Sequence, residues 1–427
     1  MQPMLDLRFI KEHAEDVKQN IKNRFMNADV DGLIELYDRR NRLIGETDAL
    51  RQRRNENAKK MKGKMEQEER QKLIDEGKRL KGEITEKEAE LGRTEADLIE
   101  AAKGIPNMAH PDVPVGKEEK DNLELRRKGN PTEFRFLPRD HVQLGELLDI
   151  IDFESATKVS GTKFYYLKNE GALLELALSR FTMDILKEKG FTLMITPDIA
   201  RTEIVEGIGF NPRGAESNIY SLEGEDSCLV GTAEITLGGF YTDQILDSEA
   251  LPMRLAGLSH CFRREAGAAG QYAKGLYRVH QFTKVEMFIF CLPEESEKMH
   301  NELLAVEEEI FQKLEIPYRI VDTCTGDLGA PAYRKYDLEA WMPGRGESGE
   351  WGEVTSASNC TDYQARRLGI RYREEKKKQF VHMLNGTAVA VSRAVVALLE
   401  NHQEEDGSVR IPEALVPYTG FEKIQAG

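Results

Sequence analysis

After Pro3, proline is missing from the first hundred residues of this 427-residue chain. Cysteine is scarce too. Cys228, Cys261, Cys291, Cys324 and Cys360 are scattered, odd in number, and form no CxxC pair with a histidine at ligand spacing. This argues against a disulfide framework and against zinc, and is expected of reduced thiols in the cytoplasm. No apolar run reaches the ~18 residues that span a bilayer, so no membrane association is expected. The opening MQPMLDLRFIKEHAED has acids early and no apolar core, unlike a secretory signal. No P-loop GxxxxGK(S/T), no GxGxxG after a strand and no GxSxG elbow occurs. Phosphate, if it is handled, must be held by arginines instead. The net charge of -15 favours solubility and disfavours indiscriminate nucleic-acid binding, while leaving room for a local basic patch.

Residues 1–104 read as an N-terminal helical domain, most of it a long arm over about 31–100. Leu36, Arg40, Leu43, Thr47, Leu50, Arg54, Asn57 and Met61 alternate in spacings of four and three. That is a heptad seam. A second seam runs through Leu73, Gly77, Leu80, Ile84, Lys87 and Leu91 to Leu98, and KGKMEQEE between them reads as a reversal. The expectation is an antiparallel coiled-coil hairpin whose helices are ~45 Å long. Residues 51–81 hold twelve Lys/Arg against six Asp/Glu, including Arg51, Arg53, Arg54, Lys59, Lys60 and Arg79. Such charges are usually a solvated helix face laced with i,i+4 pairs. Their sign, opposite to that of the whole chain, favours an arm that tracks a phosphate backbone.

Residues 105–134, rich in proline and without a period, read as a linker. Residues 135–427 then alternate helical and strand-like runs. GALLELALSRFTMDILKEKG is an amphipathic helix closed by Gly190, and FTLMITP a strand ended at Pro197. MRLAGLSHCFRRE and LYRVHQFTKVEMFIFC are strand-like and should pair antiparallel across a Gly/Ala bend. EESEKMHNELLAVEEEIFQKLE is a helix, PYRIVDTCTG and AYRKYDLEAWMP are strands, GEVTSASNCTDYQARR is a strand running into a loop, and AVAVSRAVVALLENHQ is a helix. The fold class is α+β: a mixed, mostly antiparallel sheet flanked by helices, with the helical arm in front. Arg263, Arg278 and Arg393 are the phosphate candidates, because a guanidinium offers a bidentate fork; singly, each is more often a structural ion-pair residue.

Together these segments carry a resemblance. CFRREAG…GLYRVHQF resembles the second signature motif of class II aminoacyl-tRNA synthetases. LNGTAVAVSRAVVALLENHQEEDGSVRIPEAL is similar to the third motif, and GFTLMITPDI to the first. GTAEITL and GEVTSASNCTDYQARR narrow it to the seryl-tRNA synthetase family, along nearly the whole chain. The resemblance implies a class II sheet and a homodimeric ligase. It would activate L-serine with ATP and charge serine tRNA, and selenocysteine tRNA where that exists. It also implies the site. Arg263 would hold the α-phosphate and the serine carboxylate, Arg278 and Arg393 the outer phosphates, and these three arginines would be catalytic. Glu265 would accept from adenine and Phe282 would stack on it, with Arg264, Val279, Val354 and Thr355 completing the ATP site. Glu353 and Ser356 would bind Mg²⁺. Thr232 and Glu234 would take the serine ammonium, with Ala233 between them in the serine site, and Glu286, Asn385 and Thr387 would close around its side chain. Without the resemblance, Glu286 would read as a strand carboxylate paired with Lys284 or Arg278.

The chain departs from the family in three places. Gly231 stands where proline is frequent, Arg264 where a smaller residue is usual, and GQYAK replaces a more charged stretch where the acceptor end of the tRNA would approach through Gln271, Tyr272 and Lys274. A relative that charges a carrier protein would have a reduced arm, and a silent RNA-binding paralogue would lack Arg263, Glu286 or Glu353. Here the arm is full length and all three residues are present.

Overall fold

The computed structural model describes residues 5–63, 65–212, 217–266, 274–375 and 377–425. The chain divides into two compact units, Met1–Pro106 and Asn107–Gly427.

The first unit begins with α1 (Leu7–Glu12), capped by the Asp6 carboxylate, and α2 (Ala14–Asn23). Two long helices follow, α3 (Val30–Lys60) and α4 (Gln67–Lys103). At 1.5 Å per residue they run about 46 and 55 Å. Leu43 and Thr47 of α3 and Leu80, Ile84 and Leu98 of α4 are buried in the seam between them. Towards the tip the seam turns polar. Asn57 is buried, and its amide donates across to the Leu73 carbonyl at 2.8 Å. Gly77 makes room for it: a Cβ there would sit 3.3 Å from the Asn57 amide nitrogen. Arg54, expected in the seam, is exposed.

The second unit is built on an eight-stranded sheet. Its strands are β1 (Leu123–Lys128), β2 (Thr192–Ile195) after helix α5 (Asn169–Glu188), β3 (Met253–Phe262) after the short α6 (Glu234–Gly238), and β4 (Gln281–Cys291). Helix α7 (Ser296–Lys313) leads to β5 (Tyr318–Asp322), β6 (Arg334–Met342) and β7 (Glu350–Asn359). Helix α8 (Tyr363–Leu368), β8 (His382–Ala390) and α9 (Val391–Asn401) complete the set that frames the site. The spatial order is β1-β5-β6-β7-β8-β4-β3-β2, antiparallel throughout except for the β2–β3 pair. Side chains alternate across this sheet. Val285, Met287 and Ile289 of β4 join α5, α7 and α9 in the main apolar core. Phe282, Lys284 and Glu286, one residue out of phase, line a cavity on the other face.

Several sequence readings shift. The stretch read as a linker supplies β1, which pairs with β5 from Leu123 to Lys128. All six of its residues are exposed, and only Leu123 and Leu125 are apolar, too short an alternation to mark a strand. TDYQARR is not a loop, because α8 forms there. AVA of the expected last helix belongs to β8, and the helix begins at Val391. The two motif strands do pair antiparallel, Phe262 opposite Gln281, but they are shorter than read. Arg263, Glu265 and Arg278 therefore stand in the segments just beyond the strand ends. Gln271 and Tyr272 lie outside the described residues.

Candidate active site

The cavity has a volume of about 190 Å³ and opens on the middle of the sheet. Its floor is β4, β8 and β7, which contribute Phe282, Lys284 and Glu286, Asn385 and Thr387, and Glu353, Ser356 and Ser358. Residues three apart on a regular strand point to opposite faces. Glu353 and Ser356 nevertheless share this face, because a bulge shifts the β6–β7 register: Leu338 faces Thr355 while Glu339 faces Glu353. The Thr355 hydroxyl turns the other way and donates to the buried Glu307 at 2.9 Å. Helix α9 starts one residue past the end of β8 and brings Arg393 to the rim in its first turn.

At one end stand the guanidinium groups. Arg263 donates from Nε to the Gly231 carbonyl at 3.1 Å and lies over the Phe282 ring at 5.3 Å. A carbonyl serves this anchor whatever the side chain, so glycine at 231 leaves it intact. Arg393 donates to the Glu353 carbonyl at 2.9 Å and pairs with its carboxylate at 3.1 Å. It also packs on Tyr277 at 4.8 Å, and Arg345 packs on that ring at 4.7 Å. Burial alone would raise the Glu353 carboxyl, but Arg393, Lys335 and Arg263 outweigh it and hold it below the usual carboxylate range. Arg278 pairs with Glu265 at 3.3 Å. Glu265 adopts φ 48°, a left-handed conformation uncommon outside glycine and often kept where a site needs it.

At the other end two carboxylates face each other. Glu234, at the start of α6, accepts from Asn385 at 3.0 Å and from Gln364 at 2.8 Å. Burial, and then the charge of Glu286, push its carboxyl up to about 7. Its backbone N–H donates to the Thr232 hydroxyl at 3.1 Å. Glu286 is buried, accepts from Thr387 at 3.3 Å and forms an ion pair with Lys284.

Nearly every site residue expected from the sequence lines this one cavity: Thr232, Glu234, Arg263, Glu265, Arg278, Val279, Phe282, Glu286, Glu353, Val354, Thr355, Ser356, Asn385, Thr387 and Arg393. Two do not. Arg264 is held by its backbone N–H on the Asn218 carbonyl, 2.9 Å away, and its side chain is not part of the lining. Ala233 is buried in the apolar cluster behind α6. Tyr277 lines the cavity and was missed. Lys284, read from the sequence only as a possible ion-pair partner of Glu286, makes that pair and lines the cavity as well. The alternation of Phe282, Lys284 and Glu286 along β4 is the signal that could have placed it in the lining.

A mostly antiparallel sheet carrying an arginine-lined cavity without a glycine phosphate cradle defines the class II aminoacyl-tRNA synthetases. Residues 219–402 match the family described as tRNA synthetase class II core domain (G, H, P, S and T), and residues 4–109 match the seryl-tRNA synthetase N-terminal domain. Curated serine–tRNA ligases of Treponema denticola and Rubrobacter xylanophilus are 64% and 58% identical to the chain. Each match covers 99% of this chain, and 100% and 99% of those proteins respectively. Seryl-tRNA synthetase of Pyrococcus horikoshii, solved with ATP, superposes with a TM-score of 0.91 at 42% identity, over 99% of this chain and 100% of that one. Giardia lamblia prolyl-tRNA synthetase shares the fold alone, at 14% identity, a TM-score of 0.57, and 66% and 57% coverage of the two chains. The chain belongs to the seryl-tRNA synthetase family.

Proposed function

We propose that this protein activates L-serine with ATP, releasing pyrophosphate, and transfers the seryl group from seryl-adenylate to the 3′-hydroxyl of serine tRNA. Where a selenocysteine tRNA exists, it would be charged as well. The observation that carries the proposal is one cavity lined by two sets of side chains, Arg278 and Arg393 with their partners Glu265 and Glu353 in one, Glu234, Glu286 and Thr387 in the other, and Arg263 within reach of both. A polyphosphate suits the first set. A small ammonium compound bearing a hydroxyl suits the second.

In this reading Glu234 and Thr232 take the ammonium, Glu286 the hydroxyl, and Asn385 and Thr387 close the wall. Arg263 spans both ends and meets the serine carboxylate and the α-phosphate. The carboxylate is already an anion when it attacks phosphorus, so it needs no general base. Rate comes from positioning the two reactants and from guanidinium charge on the phosphate oxygens as pyrophosphate leaves. Phe282 and Glu265 hold adenine, with Val279 and Val354 as apolar walls. Glu353 and Ser356 would hold Mg²⁺: they are oxygen donors on one face, and Glu353 is kept ionised. The metal would supply charge neutralisation on the phosphates. In the second step the ribose 3′-hydroxyl attacks the acyl carbon and AMP leaves.

The arm would meet tRNA. Arg51, Arg53 and Arg79 are already tied to Glu88 (2.9 Å), Glu76 (3.3 Å) and Glu83 (3.0 Å). Arg54, Lys59 and Lys60 are exposed and have no acidic partner among the described residues, which leaves them for phosphates. A homodimer is supported by apolar surface on β2 and α5, where Ile195 is 82% and Leu176 67% exposed. We place the enzyme in the cytoplasm; among the described residues no helix is long and apolar enough to cross a membrane. Incubation with ATP, Mg²⁺, labelled serine and purified serine tRNA tests the proposal. Acid-stable, base-labile seryl-tRNA is expected. Serine-dependent adenylate with no transfer to tRNA, or transfer to a carrier protein instead, would overturn it.

A further inference from the structure

The Tyr277 ring lines two cavities. One is the active site, and the other is a smaller space of about 50 Å³ whose walls include His141, Gly344, Arg345 and Glu400. Arg393, which lines the first, packs on the ring at 4.8 Å; Arg345, which lines the second, packs on it at 4.7 Å. The Arg345 side chain is largely buried, and its Nε lies 3.5 Å from the Glu350 carboxylate. Gly352 makes the room for it. A Cβ at 352 would overlap Arg345 Nη1, and would stand 3.1 Å from Met342 Sδ and 3.2 Å from the Tyr277 hydroxyl. Arg345 does not line the active site itself, so whatever it does there it does through the ring.

Ring and guanidinium rest on one support. His141 Nε2 accepts from the Leu276 N–H at 3.1 Å, which leaves its proton on Nδ1, and Nδ1 donates to Glu400 Oε1 at 2.8 Å. The other oxygen of Glu400 accepts from the Gly344 N–H at 2.8 Å. Leu276 precedes Tyr277 and Gly344 precedes Arg345, so the buried His141–Glu400 pair sets the two against each other through their backbones. Glu400 itself belongs to α9, the helix that carries Arg393. On the active-site side, the Tyr277 hydroxyl donates to the Glu353 carbonyl at 3.0 Å, and Arg393 donates to that same carbonyl at 2.9 Å.

We propose that Arg345 is a positioning residue for ATP: packed on Tyr277 in the smaller cavity, it holds the ring where the ring fixes Arg393 and the Glu353 carbonyl. The inference rests on the reading of the arginine end of the active site as the ATP site. In that reading the Arg393–Glu353 ion pair must open when the nucleotide arrives, because phosphate claims the guanidinium and the metal claims the carboxylate. The ring contact and the two bonds to the Glu353 carbonyl do not involve the carboxylate, so they survive the exchange. Tyr277 then keeps Arg393 at the rim before and after binding, and less ordering is left for ATP to impose. A ring unsupported on the far side would swing into the smaller cavity and take that platform with it. The Arg345 guanidinium fills the space and adds the attraction of a desolvated cation over an aromatic face.

The test is the affinity of the full-length protein for Mg·ATP by titration calorimetry, beside the KM values for ATP and for serine in serine-dependent pyrophosphate exchange. Arg345→Met should weaken ATP about tenfold, the scale of one desolvated cation–ring contact. The serine KM should stay within about twofold, because Glu234, Glu286 and Thr387 stand at the other end of the cavity. Gly352→Ala should weaken ATP likewise, since its methyl group claims the space of the guanidinium. The two substitutions together should cost no more than Arg345→Met alone, because no Nη1 is left to displace. If Arg345→Met does not accumulate as folded protein, Gly352→Ala alone decides. Unchanged or tighter ATP binding in either variant, equal losses for ATP and serine, or losses that simply add in the double variant would overturn the proposal. An unmodified protein that does not bind Mg·ATP would instead overturn the reading of the site on which it stands.

Discussion

Single residues carry the sharpest consequences of this geometry. The Glu234 carboxyl is pushed up to about 7, by burial first and by Glu286 second. Its folded value therefore lies above its unfolded one. The folded protein holds a proton there that the unfolded chain has released, so this group's contribution to stability falls as pH rises towards 7. Glu234→Gln should for that reason melt higher than the parent at pH 8, with a smaller difference at pH 5. Scanning calorimetry at both values checks it. The same substitution should raise the serine KM strongly while leaving the ATP KM alone, because the ammonium loses its counter-charge. Glu286 behaves differently. Truncating it strands the buried Lys284 ammonium, which costs about 3–5 kcal/mol when one partner of a buried pair is removed. Glu286→Ala should lower the melting temperature as well as abolish serine activation. Glu286→Gln should keep more of the fold and still lose most activity. Glu286 and Asn385 were readable from their motifs. Lys284 was legible only as an ion-pair partner for Glu286; that it also lines the cavity follows from the register of β4.

At the scale of elements, what was legible followed from periodicity and what was missed lacked it. The seams of α3 and α4 show as apolar spacings of four and three, and the long amphipathic α5 and α7 stand out likewise. Strand β1 has only Leu123 and Leu125 as apolar residues, an alternation too short to stand out. The bulge in β7 was equally silent. It inserts one residue, and by doing so turns Glu353 and Ser356 to one side. The arm yields a prediction of its own. The cations of α3 that lack an acidic partner among the described residues lie in its last two turns, so replacing Arg54, Lys59 and Lys60 together by glutamine should weaken tRNA binding. It should also flatten the dependence of log affinity on log salt by about two to three, at roughly 0.7–0.9 per lost phosphate contact. Serine-dependent pyrophosphate exchange should not change. Binding titrations at several salt concentrations would show it, and an unchanged slope would mean the arm does not meet phosphate there.

For the whole molecule the two units divide the work by chemistry. One is a slender helical hairpin with too little buried surface for a large core, and its tip is basic. The other is a sheet domain whose main core packs on one face and whose cavity opens on the other, beside a second apolar cluster. Its exposed Ile195 and Leu176 predict self-association, so sedimentation should give a dimer, and an active monomer would contradict that. In the proposed reading, the acidic end of the cavity recognises a hydroxyl beside an ammonium. The most direct test is ATP–pyrophosphate exchange with each amino acid in turn. Exchange is expected with serine, with discrimination against alanine of about 10⁴-fold or more, since alanine would leave Glu286 without its partner. Exchange with alanine or threonine within tenfold of serine would contradict it.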